Sequence, residues 1–291
     1  MFSFKPITAF DYELFSRYLD INKFINSEYN FTTWFTWGHV LKIEHTIIEE
    51  CLCVKGVSYG EEYFYLPLGE KEQIKKALLR LIGYCDGRQP LVLMSMSDDM
   101  VKLIEEFGLM QDFEHTDRRE FYDYVYKHEK LITLSGKKLH GKRNHYNYFV
   151  SNFESSMEDI TDDNLEECKK MINEMVQERS ITVNDELNVT MNSLLYRKEL
   201  RLMGGVLMVD GKVAGVILAE NFYGMVIIHI AKSNTNIRGA AVALFKMFLE
   251  KYFSDCEYVN FTDDMGLEGL RQAKLSYAPD YFIEKCSLKG K

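Results

Sequence analysis

The sequence predicts a mixed α/β protein with two domains. Its 291 residues exceed the roughly 100–200 residues of a typical domain. Each half contains a run of strand-like segments, followed by segments whose apolar residues recur at helical spacing. Strands and helices do not alternate regularly, and no G-x-G-x-x-G follows a predicted strand. These patterns exclude a doubly wound, dinucleotide-binding sheet.

The composition is that of a globular chain with an acidic balance. Hydrophobic residues make up 46% and charged residues 27%, and the formal net charge is −9. Affinity for polyphosphates comes from clustered Lys and Arg, so a chain this acidic is a poor nonspecific binder of nucleic acid. An anion-binding site in this protein therefore has to be a local basic patch.

Cysteine usage and apolar patterning suggest a soluble cytoplasmic protein. The six cysteines form no C-x-x-C pair, and no spacing typical of a zinc site occurs. We expect these thiols to be reduced and packed in the interior, without a bound metal. No apolar run approaches the roughly 18–20 residues needed to cross a bilayer, so we expect no membrane span.

The first domain is predicted over residues 1–133. Strands are predicted over 41–49, 50–57, 91–96 and 118–127, from apolar runs bounded by turn residues. Helical spacing predicts a helix over 71–84. A second helix is predicted to begin with an aspartate cap at 98 or 99 and to end before Gly108.

A basic linker helix over residues 134–154 is predicted to separate this domain from a second one over 155–291. Asp210-Gly211 between two apolar runs is a strong signal for a hairpin with a two-residue turn. Further strands are predicted over 224–231, 258–262 and 281–287, and helices over 240–253 and 265–275.

The first candidate site is the turn that joins a predicted strand to the long helix. Lys232–Arg238 leads into Gly239-Ala240-Ala241, where the helix begins. A helix start offers free N–H groups and the positive end of the helix dipole, and small residues let a diphosphate approach the backbone. The side chains of Arg238 and Lys232 would add positive charge. Tight packing between strand and helix explains the same small residues, so both interpretations stay open.

A second candidate site lies on the last predicted helix. Asp264, Arg271 and Lys274 fall near one face, because offsets of seven and ten residues are close to whole turns. A carboxylate, a guanidinium and an ammonium on one face can hold a polar or anionic substrate. A capped helix with a solvated, charged face is the alternative.

The linker carries the densest positive cluster of the chain, with Lys142, Arg143 and His145 as candidate substrate-binding residues. Such a cluster would attract the phosphates of a small donor or the acceptor end of a tRNA. A solvated run of charges is the alternative.

In the first domain, Glu28 precedes an aromatic-rich stretch that includes two tryptophans. A carboxylate in such surroundings can act as a desolvated base or bind an amine. Aromatic residues at this spacing also fit a hydrophobic core, which is the alternative interpretation.

Two motifs resemble a known family. The segment from Asn260 to Pro279 fits the pattern Asn-x-x-Asp-Asp-x-Gly-x-x-Gly-Leu-Arg-x-Ala-Lys-x-Ser-Tyr-x-Pro, and residues 142–145 read Lys-Arg-Asn-His. Both resemble the C-terminal synthase domain of bacterial phosphatidylglycerol lysyltransferases and their soluble, uncharacterised relatives. The turn over 236–241 is similar to the acyl-CoA pyrophosphate loop of the GNAT acyltransferase superfamily. Ala231 stands where the family has Glu, and Phe261-Thr262 stands where it has Arg-Glu.

The resemblance implies two tandem GNAT-like domains, each with a mixed, mostly antiparallel sheet flanked by helices, as in the Fem-type aminoacyltransferases. It implies transfer of an acyl or aminoacyl group from a CoA thioester or an aminoacyl-tRNA to an amine or hydroxyl. Tyr277 would be the general acid, and Asp264 or Glu220 the base or amine-orienting group. The alternative is a ligand-binding or regulatory protein that retains the fold without turnover, since the family's Glu is missing at Ala231.

Overall fold

The computed structural model describes residues 2–58, 60–177 and 183–291 and confirms the predicted mixed α/β class. The chain divides into two compact units. Unit 1 contains the chain up to Asp123 together with Ile283–Lys291, and unit 2 contains Tyr124–Phe282. This division differs from the predicted boundaries, since residues 124–154 belong to unit 2 and the last nine residues return to unit 1.

Unit 1 contains a seven-stranded sheet in its described residues, with the strand order β1-β2-β3-β4-β5-β14-β6. The strands are β1 (Lys5–Pro6), β2 (Glu44–Ile48), β3 (Cys51–Ser58), β4 (Glu61–Phe64), β5 (Val92–Met96), β6 (Phe113–Asp117) and β14 (Cys286–Gly290). All neighbouring pairs are antiparallel except β4 with β5. The helices are α1 (Tyr12–Asn22), α2 (Phe31–Trp37), α3 (Lys71–Cys85) and α4 (Asp98–Glu106).

The core of unit 1 is rich in aromatic residues. Phe15, Tyr29 and Trp34 are almost fully buried, and the Trp34 ring contacts the rings of Phe15 and Tyr29 edge to face. Helix α3 buries the apolar stripe that predicted it, which includes Ile74 and Leu78. All six cysteines of the chain are free and buried.

Unit 2 is built on a second seven-stranded sheet, with the order β13-β7-β12-β11-β10-β9-β8 among the described residues. The strands are β7 (Asp123–Lys127), β8 (Ser155–Asp159), β9 (Met203–Val209), β10 (Lys212–Phe222), β11 (Met225–Ser233), β12 (Tyr258–Asn260) and β13 (Tyr281–Ile283). Strands β7 with β12, β11 with β10, β10 with β9 and β9 with β8 pair antiparallel, whereas β11 with β12 is parallel. The predicted hairpin at Asp210-Gly211 joins β9 to β10.

Helices cover both faces of this sheet. They are α5 (His128–Thr133), α6 (His140–Asn152), α7 (Leu165–Gln177), α8 (Val183–Leu195), α9 (Ala240–Tyr252) and α10 (Glu268–Leu275). One hydrophobic cluster joins the sheet to α5, α6 and α9, and includes Phe149, Leu244 and Phe248. A second cluster joins it to α7 and α8, and includes Ile172 and Leu194. Within the described residues, no helix is both long and apolar enough to cross a membrane.

The sheet of unit 1 contains a strand from the far end of the chain, which the sequence patterns do not reveal. The predicted strand over 281–287 is two strands, because β13 lies in the unit 2 sheet whereas β14 lies between β5 and β6 in unit 1. The predicted strand over 118–127 is regular only from Asp123, where β7 enters the sheet of unit 2. Strand β6 was not predicted.

Candidate functional site

The parallel strands β11 and β12 mark the centre of the candidate site. They pair over three residues, from Met225↔Tyr258 to Ile227↔Asn260. Beyond Ile227, β11 continues to Ser233 against β10, whereas β12 ends at Asn260. The carboxyl ends of parallel strands commonly flank a ligand crevice in α/β sheets. The elements that follow these two strands, α9 and the loop before α10, therefore border the candidate site.

Gly239 caps the start of α9 in the left-handed region, with a φ of 90°. A Cβ placed on it would lie 2.3 Å from the backbone oxygen of His145 and 2.9 Å from Cβ of Phe149. Glycine is therefore required by close packing of α6 against α9, which was the alternative interpretation of these small residues. Ala240 is buried, whereas Ala241 is exposed in the first turn. The N–H of Ala240 already donates to the backbone oxygen of Ile237 at 3.1 Å. The N–H groups that follow it in the first turn have no acceptors within the helix, so an anion can still approach at Ala241.

The two cations predicted around this turn point to different partners. Arg238 is exposed, and its guanidinium carbon lies 4.4 Å from the ring centroid of Tyr148 on α6. It stays next to the start of α9. The ammonium of Lys232 instead forms an ion pair with Glu186 on α8. Lys232 therefore has a carboxylate of the protein as its partner. Glu186 is distant in sequence, so the local motif did not indicate this ion pair.

Lys142 and Tyr277 form a contact between an ammonium and a buried aromatic ring. Nζ of Lys142 lies 4.0 Å from the centre of the Tyr277 ring, and Tyr277 is only 5% exposed. The rings of Phe245 and Phe261 lie 5.8 and 5.7 Å from that of Tyr277. Burial raises the pKa of Tyr277 and lowers the pKa of Lys142. Within residues 2–58, 60–177 and 183–291, no group hydrogen-bonds the Tyr277 hydroxyl.

The other two linker candidates have structural contacts. Arg143 donates from its guanidinium to the backbone oxygens of Leu134 and Gly136. Leu134 is the left-handed C-cap of α5, so Arg143 fixes the turn between α5 and α6. His145 is exposed, and it is its backbone oxygen that faces Gly239. The sequence places Lys142, Arg143 and His145 in one basic cluster. Of these three residues, only Lys142 contacts the ring of Tyr277.

Asp264 is fully buried and bound by three donors. Arg271 donates to both carboxylate oxygens at 2.9 Å, and the Tyr124 hydroxyl donates at 2.6 Å. The N–H of Gly266 donates to Oδ1 at 2.9 Å. Burial raises the pKa of Asp264, but these hydrogen bonds outweigh burial and leave the pKa below its usual value. A carboxylate with a lowered pKa is a weak proton acceptor, so these contacts fit a structural role better than the role of a base.

Lys274 holds the same loop by donating hydrogen bonds to its carbonyl oxygens. Its buried ammonium donates to the backbone oxygens of Phe261, at 2.5 Å, and of Asp263. Thr262 and Met265 adopt left-handed φ values of 58° and 51° in this loop. Such backbone is retained where surrounding contacts hold it. The predicted shared face of Asp264, Arg271 and Lys274 is real, but these side chains organise the loop over 261–267 and bind one another or its backbone.

Glu220 and His229 form a cross-strand pair on β10 and β11. Oε1 of Glu220 lies 2.7 Å from Nε2 of His229, and their side chains are 13% and 7% exposed. The register of the two strands shifts between Leu218 and Ala219, next to this pair. Bulges of this kind often re-aim side chains beside active sites. The sequence offered Glu220 as a base but did not link it to His229.

Glu28 belongs to a separate buried cluster in unit 1. Its carboxylate forms an ion pair with Lys285, whose ammonium is fully buried. Lys285 also lies 2.6 Å from Asp123, and the Ser27 hydroxyl donates to Asp123 at 2.6 Å. The Glu28 carboxylate is therefore paired with an ammonium of the chain itself. Lys285 was missed because it is distant in sequence.

Within the described parts of the chain, no group of three or more His, Cys, Asp or Glu side chains is placed to hold a metal ion.

Comparison with solved structures identifies the fold. A tandem GNAT protein from the clavulanic acid biosynthesis pathway superposes with a TM-score of 0.51 at 9% identity, covering 100% of this chain and 98% of that one. FemX superposes with a TM-score of 0.60 at 8% identity, covering 99% and 96%. At these identities the likeness concerns the fold alone, and the fold is that of a tandem GNAT protein.

The family is shown by a sequence model. The model described as "Phosphatidylglycerol lysyltransferase, C-terminal" matches residues 20–288, so the chain belongs to that family. L-PGS from Bacillus licheniformis has a TM-score of 0.67 at 14% identity, covering 96% of this chain and 91% of that one. A conserved protein of unknown function from Bacteroides thetaiotaomicron has a TM-score of 0.91 at 26% identity, covering all of both chains.

A curated relative matches over part of its length. An uncharacterized protein of Mycoplasmoides gallisepticum is 25% identical over 180 residues, which are 57% of this chain and 56% of that protein. This chain thus aligns with little more than half of that relative.

Proposed function

We propose that unit 2 is an acyl- or aminoacyltransferase. It would move its group from a CoA thioester or an aminoacyl-tRNA to an amine or hydroxyl acceptor. The observation that carries this proposal is the buried ring of Tyr277, whose hydroxyl has no hydrogen-bond partner in the described residues and whose ring face holds Lys142. The family and the tandem GNAT fold support the reaction class.

The donor's phosphates would bind at the start of α9. Ala241 is exposed in the first turn, and Arg238 immediately precedes Gly239. The N–H groups of this turn and the guanidinium of Arg238 suit a phosphate better than an uncharged group. Lys232 takes no part in this step because it is paired with Glu186.

In the transfer step, the acceptor's nitrogen or oxygen attacks the donor's carbonyl carbon. A new C–N or C–O bond forms, and the C–S bond of the thioester, or the ester C–O bond, breaks. Tyr277 donates its proton to the leaving sulfur or oxygen, and its raised pKa keeps the hydroxyl protonated until then. The Glu220–His229 pair takes the proton that the acceptor loses. Asp264, Arg271 and Lys274 serve as positioning residues that hold the loop before α10.

Tyr277→Phe tests this assignment, because it removes one hydroxyl and keeps the ring that Lys142 and the aromatic neighbours contact. The variant should bind a CoA thioester as the wild type does, but transfer at least about a hundredfold more slowly, the low end of what a positioned acid contributes. Single-turnover transfer is measured by mass spectrometry of the acceptor. Unchanged transfer in the phenylalanine variant would remove Tyr277 from the mechanism.

A ligand-binding or regulatory protein without turnover is the second candidate. It is favoured by Ala231, which stands on β11 two residues after His229 where the family has Glu. The two candidates differ in one result. Transfer from any of the proposed donors to an amine acceptor, detected as product mass, would reject the second. A bound donor that is released unchanged would support it.

A further inference from the structure

A cavity of about 340 Å³ in unit 1 has no role in the proposed transfer reaction. Arg17 and Ile21 line it from α1, Glu50 from the turn between β2 and β3, and Glu70 and Gln73 from the start of α3. Its volume is near the lower end of the range for small-molecule sites, which is roughly 300–1,000 Å³. The cavity therefore suits a small ligand.

The polar side chains of this cavity lack partners in the protein. The Oε1 atom of Gln73 is buried and receives no hydrogen bond from the described residues. Across the same ranges of the chain, Arg17, Glu50 and Glu70 form no hydrogen bond or ion pair through their side chains. A buried acceptor without a donor is unfavourable, so an N–H or O–H group of a ligand would stabilise Gln73 in this position.

Charged groups close to this cavity do find partners within the protein. In a second cavity of unit 1, Lys71 and Glu106 form an ion pair with each other. In the turn between β2 and β3, Glu49 lies 2.9 Å from Arg80, whereas the adjacent Glu50 lines the cavity that holds Gln73. Unpaired charges are therefore not a general property of this part of unit 1.

The backbone holds the walls of the cavity in place. Asn22 accepts a hydrogen bond from the N–H of Gly69 at 2.9 Å and donates to its carbonyl oxygen at 3.1 Å. Leu52 and Leu68 exchange two backbone hydrogen bonds, at 2.9 and 3.0 Å. A Cβ on Gly69 would lie 2.7 Å from Sγ of Cys51, so this segment packs tightly against β3. The residues that begin α3 are fixed before a ligand arrives, which lowers the entropic cost of binding.

The charges that line the cavity define the chemistry of its ligand. The carboxylates of Glu50 and Glu70 and the buried oxygen of Gln73 suit an ammonium, and the guanidinium of Arg17 suits a carboxylate. Ile21 is 46% exposed and offers an apolar surface to an alkyl group. An anion alone would meet two carboxylates, and a cation alone would leave the guanidinium unpaired. An ammonium, a carboxylate and a short alkyl chain occur together in a free α-amino acid.

We propose that this cavity binds a free α-amino acid, whose ammonium contacts Gln73 and the two glutamates and whose carboxylate contacts Arg17. The binding is non-covalent. The site lies in unit 1 and is independent of the transfer reaction proposed for unit 2.

The test compares three ligands of similar size that differ in charge. L-2-aminobutyrate carries both charges, butyrate carries only the carboxylate, and propylamine carries only the ammonium. Binding is followed through the δ1-methyl NMR signal of Ile21, which is assigned with Ile21→Val. The wild type should bind 2-aminobutyrate at least about fivefold more tightly than either analogue, as expected for the loss of one partly exposed charge contact.

Three variants and a control divide the contacts. Gln73→Leu removes the buried acceptor, so it should weaken 2-aminobutyrate at least about fivefold and leave butyrate unchanged. Arg17→Gln should make 2-aminobutyrate bind no more tightly than propylamine, and Glu70→Gln should weaken both ligands that carry an ammonium. Glu72→Gln is the matched control, because Glu72 is exposed in the first turn of the same helix and does not line the cavity. It should change none of these affinities.

Three results would overturn the inference. If 2-aminobutyrate does not shift the Ile21 signal, the cavity is not an amino-acid site. If either analogue binds as tightly as 2-aminobutyrate, the cavity recognises a single charge. If Gln73→Leu lowers the urea midpoint of the ligand-free protein, the Gln73 oxygen has a partner within the protein, whereas an unpartnered oxygen predicts a variant at least as stable as the wild type. Circular dichroism spectra show whether each variant is folded.

Discussion

Replacing Gly239 by alanine tests the packing on which the candidate site depends. The added Cβ would lie 2.3 Å from the backbone oxygen of His145, and Gly239 has a φ of 90°. A left-handed φ costs a residue with a Cβ about 1–2 kcal/mol, and overpacking against backbone costs about 1–3 kcal/mol. Because a backbone oxygen cannot swing away as a side chain can, we expect the free energy of unfolding to fall by about 2–5 kcal/mol.

Unfolding in urea is monitored by far-UV circular dichroism, and the midpoint and slope of the transition are fitted together. Gly141→Ala is the matched control, because Gly141 lies on α6, and a Cβ there would meet nothing within 4 Å. The control should leave stability unchanged or raise it by about 0.5–1 kcal/mol, since alanine is the better helix former. If Gly239→Ala changes stability by less than the control does, α6 does not pack against the start of α9 as described.

Two further predictions concern buried charges. Asp264→Asn should destabilise the protein by about 1–3 kcal/mol, because the buried amide nitrogen would face hydrogen-bond donors instead of accepting from them; a double-mutant cycle with Arg271→Ala in denaturant should be non-additive, and additive effects would show that the two side chains do not interact. In unit 1, burial lowers the pKa of His45 below its ordinary value of 6.5, so the unfolded chain binds more protons in acid. The stability that neutral His45 contributes is therefore fully present above pH 6.5 and is lost as the pH falls through and below that value. His45→Phe should make unfolding free energy less dependent on pH over that range, and an unaltered pH profile would exclude His45 as its source.

Local patterns predicted the elements of the site well. The turn before α9, the helix itself and the hairpin at Asp210-Gly211 are found within a few residues of their predicted positions. Each depends on signals confined to one short stretch, such as an apolar stripe, a glycine in a left-handed turn or a two-residue hairpin turn. The family motif over 260–279 was likewise read from one contiguous segment, and the family is shown.

The missed features depend on contacts between distant residues. Residues 281–287 were predicted as one strand, because nothing in the local sequence shows that β13 and β14 join different sheets. Spacing placed Asp264, Arg271 and Lys274 together, but it did not show that they bind one another and the loop backbone. Similarly, the ion pairs of Lys232 with Glu186 and Glu28 with Lys285 join residues 46 and 257 positions apart.

Amide hydrogen exchange with a bound CoA thioester tests the central claim most directly, because it reports on the backbone N–H groups at the start of α9. With a saturating acyl-CoA thioester, we expect slower exchange in peptides covering residues 238–242 and the segment around Tyr277. Unchanged exchange in those peptides, with protection confined to other segments of the chain, would contradict it.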